Sequence, residues 1–176
     1  MYQGVIMSGF GGQGIISAGI ILAYGGMTEG KYVTFFPAYG AEMRGGTANC
    51  SVIVSDQEIA APVVSLPDSL IVMNEPSLGR FEPTLKPRGL LLINSSLVSG
   101  KPKRNDVQVH YVLANSIAEE LGSIKCANMV MLGALADKTG AVKIESIVNC
   151  LSKVFSKAKK ELLDMNAEAL RKGAKS

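Results

Sequence analysis

The sequence predicts an α/β protein, a three-layer Rossmann-like fold with a mostly parallel sheet and a helical C-terminal region. Three observations lead there. Apolar strand-like runs alternate with segments of helical spacing, the pattern that places helices on both faces of a sheet. Gly89-Leu90-Leu91-Leu92-Ile93 is apolar throughout, as strands buried on both faces are. Val5-Ile6-Met7 runs through Gly9-Phe10-Gly11-Gly12-Gln13-Gly14 into a helical pattern at Ile15, Ala18, Gly19 and Leu22, the strand–glycine turn–helix order of a phosphate-binding crossover.

Taken in order, the first helix is expected from about Gln13 to Tyr24, with Gly25-Gly26 as its C-cap. The second strand, Lys31 to Phe36, is expected to stop at Pro37, which cannot donate to a ladder. The loop from Ala38 to Gly46 leads into an alternating strand from Thr47 to Val54. Ser69 to Met73 is a further core strand with Asn74 at its carboxyl end. Pro76 to Leu85 has room for a short helix only, and Val98 to Asp106 reads as a surface loop. Val107 to Val112 alternates as a strand and carries the single histidine, His110, in a structural position. Ser116-Ile117-Ala118-Glu119 has capping-box form and opens a short helix ending at Gly122. Asn128-Met129 starts another. Ile144, Ile147, Val148, Leu151, Val154 and Phe155 keep helical spacing. The 176 residues fit one domain over 1–176, with a flexible C-terminal tail from about 165.

Composition excludes several classes. The chain is 47% hydrophobic with a net charge of +3, a folded protein with no call for a nucleic-acid partner. Its basic residues cluster late, Lys153 to Lys175, interleaved with Glu161, Asp164 and Glu168 as on a solvated helix face. The longest apolar stretch, Ile15 to Tyr24, is too short and glycine-broken to cross a membrane, and the N-terminus lacks a basic leader, so the expected location is cytoplasmic. Cys50, Cys126 and Cys150 are three, widely spaced, and never paired as C-x-x-C, which excludes a self-contained four-cysteine iron–sulfur or zinc site. Cys50 is a weak nucleophile candidate without a base. No catalytic constellation and no metal-spaced histidines appear.

Gly9-x-Gly11-x-x-Gly14 matches a dinucleotide fingerprint, but the nicotinamide version wants an acid at the end of the second strand, and Thr34 stands there. NAD is therefore disfavoured. The loop Ala38-Tyr39-Gly40-Ala41-Glu42-Met43-Arg44-Gly45-Gly46 offers Arg44 either as a solvated cation or as a forked contact to an anion or a partner. The turn, the Arg44 loop and Asn74 all fall at strand carboxyl ends, where ligands bind in such sheets.

These motifs, together with Phe36-Pro37 ahead of the Arg44 loop, Pro67-Asp68 ahead of the strand ending at Asn74, and Asn128-Met129-Val130-Met131-Leu132-Gly133-Ala134, resemble the gamma subunit of 2-oxoacid:ferredoxin oxidoreductases over nearly the whole chain. The resemblance implies a role in oxidative decarboxylation of a 2-oxoacid to an acyl-CoA with ferredoxin reduction, with 2-oxoglutarate favoured by the Phe36-to-Gly46 stretch. It implies coenzyme A at a shared site, with thiamine diphosphate, Mg and iron–sulfur clusters in partner alpha and beta subunits and a ferredoxin-like delta subunit. Carried over by motif, Gly11, Gly12, Gln13, Gly14 and Ile15 cradle the nucleotide end, Asn74 and Asn128 make polar contacts to it, and Arg44 contacts CoA or a neighbouring subunit. The chain itself is then expected to hold no catalytic and no metal residue. Two alternatives stand beside this reading: the small subunit of indolepyruvate ferredoxin oxidoreductase, and a free-standing NAD(P)-dependent or nucleotide-sensing Rossmann protein.

Overall fold

In a computed structural model of the chain, which describes residues 1–39 and 47–176, six strands form one sheet in the order β2-β3-β1-β4-β5-β6. The strands are β1 (Tyr2–Phe10), β2 (Tyr32–Tyr39), β3 (Thr47–Ser55), β4 (Ser69–Val72), β5 (Leu90–Asn94) and β6 (Gln108–Val112). β1, β4, β5 and β6 pair in parallel, whereas β3 runs antiparallel to both β1 and β2. The central strands are buried along most of their length, as the apolar runs require.

The helices are α1 (Ile15–Thr28), α2 (Glu75–Phe81), α3 (Ala114–Glu120), α4 (Ala127–Thr139), α5 (Ile144–Val154) and α6 (Lys160–Gly173). One sheet face, with Val5, Met7, Val52, Ile71 and Leu92, packs against α1 and the C-terminal helices. The other, with Ile6, Ile53, Leu70, Val72 and Ile93, lies under α2 and the connecting segments around Val64 and Val98. The chain leaves β1 for the first face and β4 for the second, so neighbouring strands part company at their carboxyl ends. That divergence opens the crevice in which α/β sheets hold ligands.

Several elements depart from expectation, each for a packing reason. α1 begins at Ile15 and continues to Thr28, so Gly25-Gly26 is no C-cap. A side chain at Gly25 would press on Val142 and Ile147, and one at Gly26 on Val33 and Val54, so these glycines let the helix lie close to its neighbours. β2 runs past Pro37 to Tyr39, because it is an edge strand where a missing N–H is tolerated. α3 starts at Ala114, two residues before Ser116, and no side chain caps it, so the expected capping box is absent.

The C-terminal end is the largest departure. Where a tail was expected from about 165, α6 packs on α4 with Asn166, Ala167, Ala169, Leu170 and Gly173 buried. Two glycines make this possible. Side chains at Gly133 of α4 and Gly173 of α6 would run into the backbone carbonyls of Leu170 and Val130, so each helix offers a glycine to the other's backbone. The outer face of α6, with Lys160, Glu161, Asp164, Glu168 and Arg171, is exposed as the charge pattern predicts.

Candidate functional site

The turn after β1 is built from backbone. Gly12 and Gly14 hold φ of 95° and 72°, a region that side chains disfavour. Gly14 sits at the N-cap of α1 and leaves that end without a side-chain cap. The N–H groups of Gly11, Gly12, Gly14, Ile15, Ile16 and Ser17 meet no acceptor among the described residues. An α-helix leaves such donors at its start, where its dipole is positive. A Cβ at Gly12 would meet no atom of the described residues.

Gln13 and Asn128 brace this turn from beneath. The Gln13 carboxamide accepts from Phe10 N–H at 2.6 Å and donates to Met73 C=O at 3.0 Å, tying the turn to the end of β4. Asn128, at the start of α4, donates to Gly14 C=O at 2.9 Å. A side chain at Gly14 would collide with that amide, so the residue is fixed both by its φ and by its neighbour. Cys50 adds a third support, its thiol donating to Ile15 C=O at 3.6 Å. Burial pushes that thiol up to about 12, so it stays neutral at physiological pH. The nucleophile reading of Cys50 is thereby corrected: a fully buried, protonated thiol attacks nothing.

Asn74 follows Met73 at the carboxyl end of β4 and is 3% exposed. Its Oδ1 caps α2 by accepting from Ser77 N–H at 3.0 Å. Its Nδ2 is the one buried side-chain polar atom without a partner among the described residues. A buried donor left unpaired carries a desolvation penalty, which an acceptor on a water or a ligand would remove. Beside it, Ser8 and Ser77 share a buried hydroxyl contact of 2.8 Å. The Glu75 carboxylate accepts from Ser99 and Gly100 N–H, drawing the segment after β5 towards the same end of the sheet.

Gly11, Gly12, Gln13, Gly14, Ile15, Asn74 and Asn128 thus gather at one sheet end, with different tasks. The glycines and Ile15 present backbone donors, Gln13 and Asn128 are spent on the turn itself, and Asn74 keeps one donor free. Arg44 lies outside the described residues. The register puts the flanks of its loop, Tyr39 and Thr47, at the same end as Phe10.

The nicotinamide test rests on different geometry from the one expected. Thr34 is in the edge strand β2, separated from β1 by β3, and its hydroxyl bonds Pro62 C=O. β3, which lies between β1 and β2, is antiparallel and presents its amino end here, so the end of the second strand in sequence does not adjoin the turn. Sequence reading missed the Met73 carbonyl, a backbone group with no sequence signal. It also missed the Asn94–Asn115 pair at 2.8 Å, joining the ends of β5 and α3; an asparagine closing an apolar strand run, as Asn74 does, was the available clue.

Fold and site together define a class: an α/β chain presenting an open, donor-lined turn at the topological switch of its sheet. The family profile for pyruvate ferredoxin/flavodoxin oxidoreductase matches residues 4–176, and the chain belongs to that family. Subunit VorA of the ketoisovalerate oxidoreductase of Methanothermobacter thermautotrophicus is 36% identical over 171 residues, 97% of this chain and 35% of VorA. The gamma subunit of a keto/oxoacid ferredoxin oxidoreductase from Geobacter sulfurreducens superposes with a TM-score of 0.84 at 29% identity, covering 98% of this chain and 96% of that one. The 2-oxoglutarate:ferredoxin oxidoreductase of Magnetococcus marinus, solved with 2-oxoglutarate, coenzyme A and succinyl-CoA bound, superposes at 0.89 and 27% identity over 99% of this chain. The match takes in 31% of that chain, so this protein spans about a third of the length of two of these three relatives.

Proposed function

We propose that the chain is the gamma component of a 2-oxoacid:ferredoxin oxidoreductase and receives the pyrophosphate of coenzyme A at the turn after β1. In that assembly, alpha and beta chains carry thiamine diphosphate, Mg and iron–sulfur clusters, and a ferredoxin-like delta chain takes part in electron transfer. The observation that carries the reading is the set of unpaired N–H groups of Gly11, Gly12, Gly14, Ile15, Ile16 and Ser17 beside the unpaired Nδ2 of Asn74. A diphosphate satisfies such donors in its anionic form, and the absence of a Cβ at Gly12 admits it closely. This chain's part is binding and orientation: the turn fixes the nucleotide end so that the thiol end reaches chemistry housed elsewhere. In this reading Arg44 is a further contact to CoA or to a companion chain.

The acyl substrate is 2-oxoglutarate in this reading, supported by the Phe36-to-Gly46 stretch and by the ligands of the Magnetococcus relative. A branched-chain 2-oxoacid is the second reading, favoured by the identity with VorA. Rates of the co-purified complex on 2-oxoglutarate, 2-ketoisovalerate and pyruvate, compared as kcat/KM, decide between them.

Gly12→Val tests the turn, because a Cβ there meets no atom of the described residues and the change falls on a glycine held at positive φ. The KM for CoA should rise by on the order of ten-fold or more. The 2-oxoacid-dependent half-reaction measured without CoA should keep its rate. An unchanged KM for CoA, or equal loss in both assays, sinks the proposal.

A further inference from the structure

A cleft lies at the opposite end of the sheet from the turn. It has a volume of about 400 Å³ and opens between the amino ends of β4, β5 and β6, with Arg88, Gln108, His110 and Lys138 around it. We propose that this cleft is a second binding site, taking a small oxyanion, a phosphate or carboxylate group, between Arg88 and Lys138.

Charge accounting points there first. The cleft's only acid, Asp68, is already committed: one oxygen takes Lys86 Nζ at 2.6 Å and the other takes Gly4 N–H at 2.8 Å. Arg88 has no carboxylate partner among the described residues, and Lys138 has only its sequence neighbour Asp137 at 3.4 Å. An exposed pair of that kind is weak, so two cations face the cleft essentially uncompensated. The polar side chains beside them are partly spent on the frame. Gln3 Nε2 donates to Ser69 Oγ, and Gln108 Nε2 donates to Arg88 C=O. His110 Nε2 meets Ser176 C=O at 2.9 Å.

The backbone supplies an independent observation. Lys86 to Gly89 form a turn closed by Gly89 N–H to Lys86 C=O at 2.9 Å, with Pro87 second and Arg88 third. Arg88 holds φ of 62°, the one non-glycine residue with positive φ among the described residues. The third position of such a proline turn favours glycine or asparagine, so an arginine there is strained. The strain is held in place because Arg88 N–H bonds Asp106 C=O and its carbonyl takes Gln108. An anion bridging Arg88 and Lys138 gives an arginine at that strained backbone position a purpose that the turn alone does not.

The test follows amide shifts of the full chain while inorganic phosphate, and separately succinate, is titrated against chloride at matched ionic strength. At least one of the two should shift Gly89, Gln108, His110 and Thr139 saturably. Arg88→Gly removes the guanidinium and relieves the turn, so it should weaken that binding by about ten-fold or more while raising Tm by about 2–4 °C. Lys138→Gln should weaken binding several-fold with Tm unchanged. Shifts at Gly11 to Ser17, which belong to the other end of the sheet, should be untouched by both variants. The proposal is overturned if neither probe shifts the cleft residues, or if Arg88→Gly binds as the native chain does.

Discussion

At the scale of single residues, the site divides into groups that offer donors and groups that hold them in place. Gln13 belongs to the second kind. Its side chain is more valuable as a clamp between Phe10 N–H and Met73 C=O than as a ligand contact, since both ends of the carboxamide are engaged. Gln13→Ala should cost about 1–3 kcal/mol of stability by stripping partners from a strand-end donor and a strand-end acceptor. Chemical denaturation measures this, and a loss below about 0.5 kcal/mol would show the clamp to be ornamental. Gln13→Glu keeps an acceptor for Phe10 but turns a carboxylate oxygen towards Met73 C=O, so it should cost at least as much as Gln13→Ala. Asn74 is the contrary case. Its capping Oδ1 is satisfied, and its Nδ2 has no partner among the described residues.

Among the elements, α4 and α6 carry the least expected contact in the protein. Their backbones approach through Gly133 and Gly173, with no room for a methyl group at either place. Gly133→Ala and Gly173→Ala should therefore each destabilise by about 1–3 kcal/mol despite the higher helix propensity of alanine. Thermal denaturation reads this directly; a rise in Tm for either variant would contradict the observed crossing. α1 uses glycine the same way, Gly26 against Val33 of β2 and Val54 of β3, and Gly25 against Val142 and against Ile147 of α5. Its end is then held by a polar clasp. Lys143 N–H donates to Glu29 at 2.7 Å, and Lys31 bridges Glu29 and Ala141 C=O. Burial raises the Glu29 carboxyl, yet the hydrogen bonds from Lys31, Lys143 and Ser146 outweigh it and the net shift is downward.

For the whole molecule, the sheet matters less as a platform than as a device for separating two ends. The carboxyl ends of β1 and β4 carry the donor-lined turn, and the amino ends of β4 to β6 carry the cationic cleft. Between them, the core on the α1 face runs continuously from the sheet through α4 to Ala169 and Leu170 of α6. Removing residues 160–176 should for that reason expose α4 along its length and abolish cooperative unfolding, where loss of a tail would change nothing. Calorimetry of the shortened chain distinguishes the two, and a native-like transition would refute this account of α6.

The sequence by itself determined the alternating α/β plan, the parallel buried strands around Leu90 to Ile93, and the glycine turn opening a helix. Those features rest on local rules, since periodicity, chain geometry at glycine and apolar runs act over a few residues. Only the tertiary structure decided that β3 lies antiparallel between β1 and β2, that Gln13 and Asn128 serve the turn from within, and that the end of the chain is a packed helix. Strand order, a carbonyl at Met73 and two glycines 40 residues apart are facts about which distant segments touch, and that is settled by how the whole chain buries its apolar surface rather than by any stretch of it.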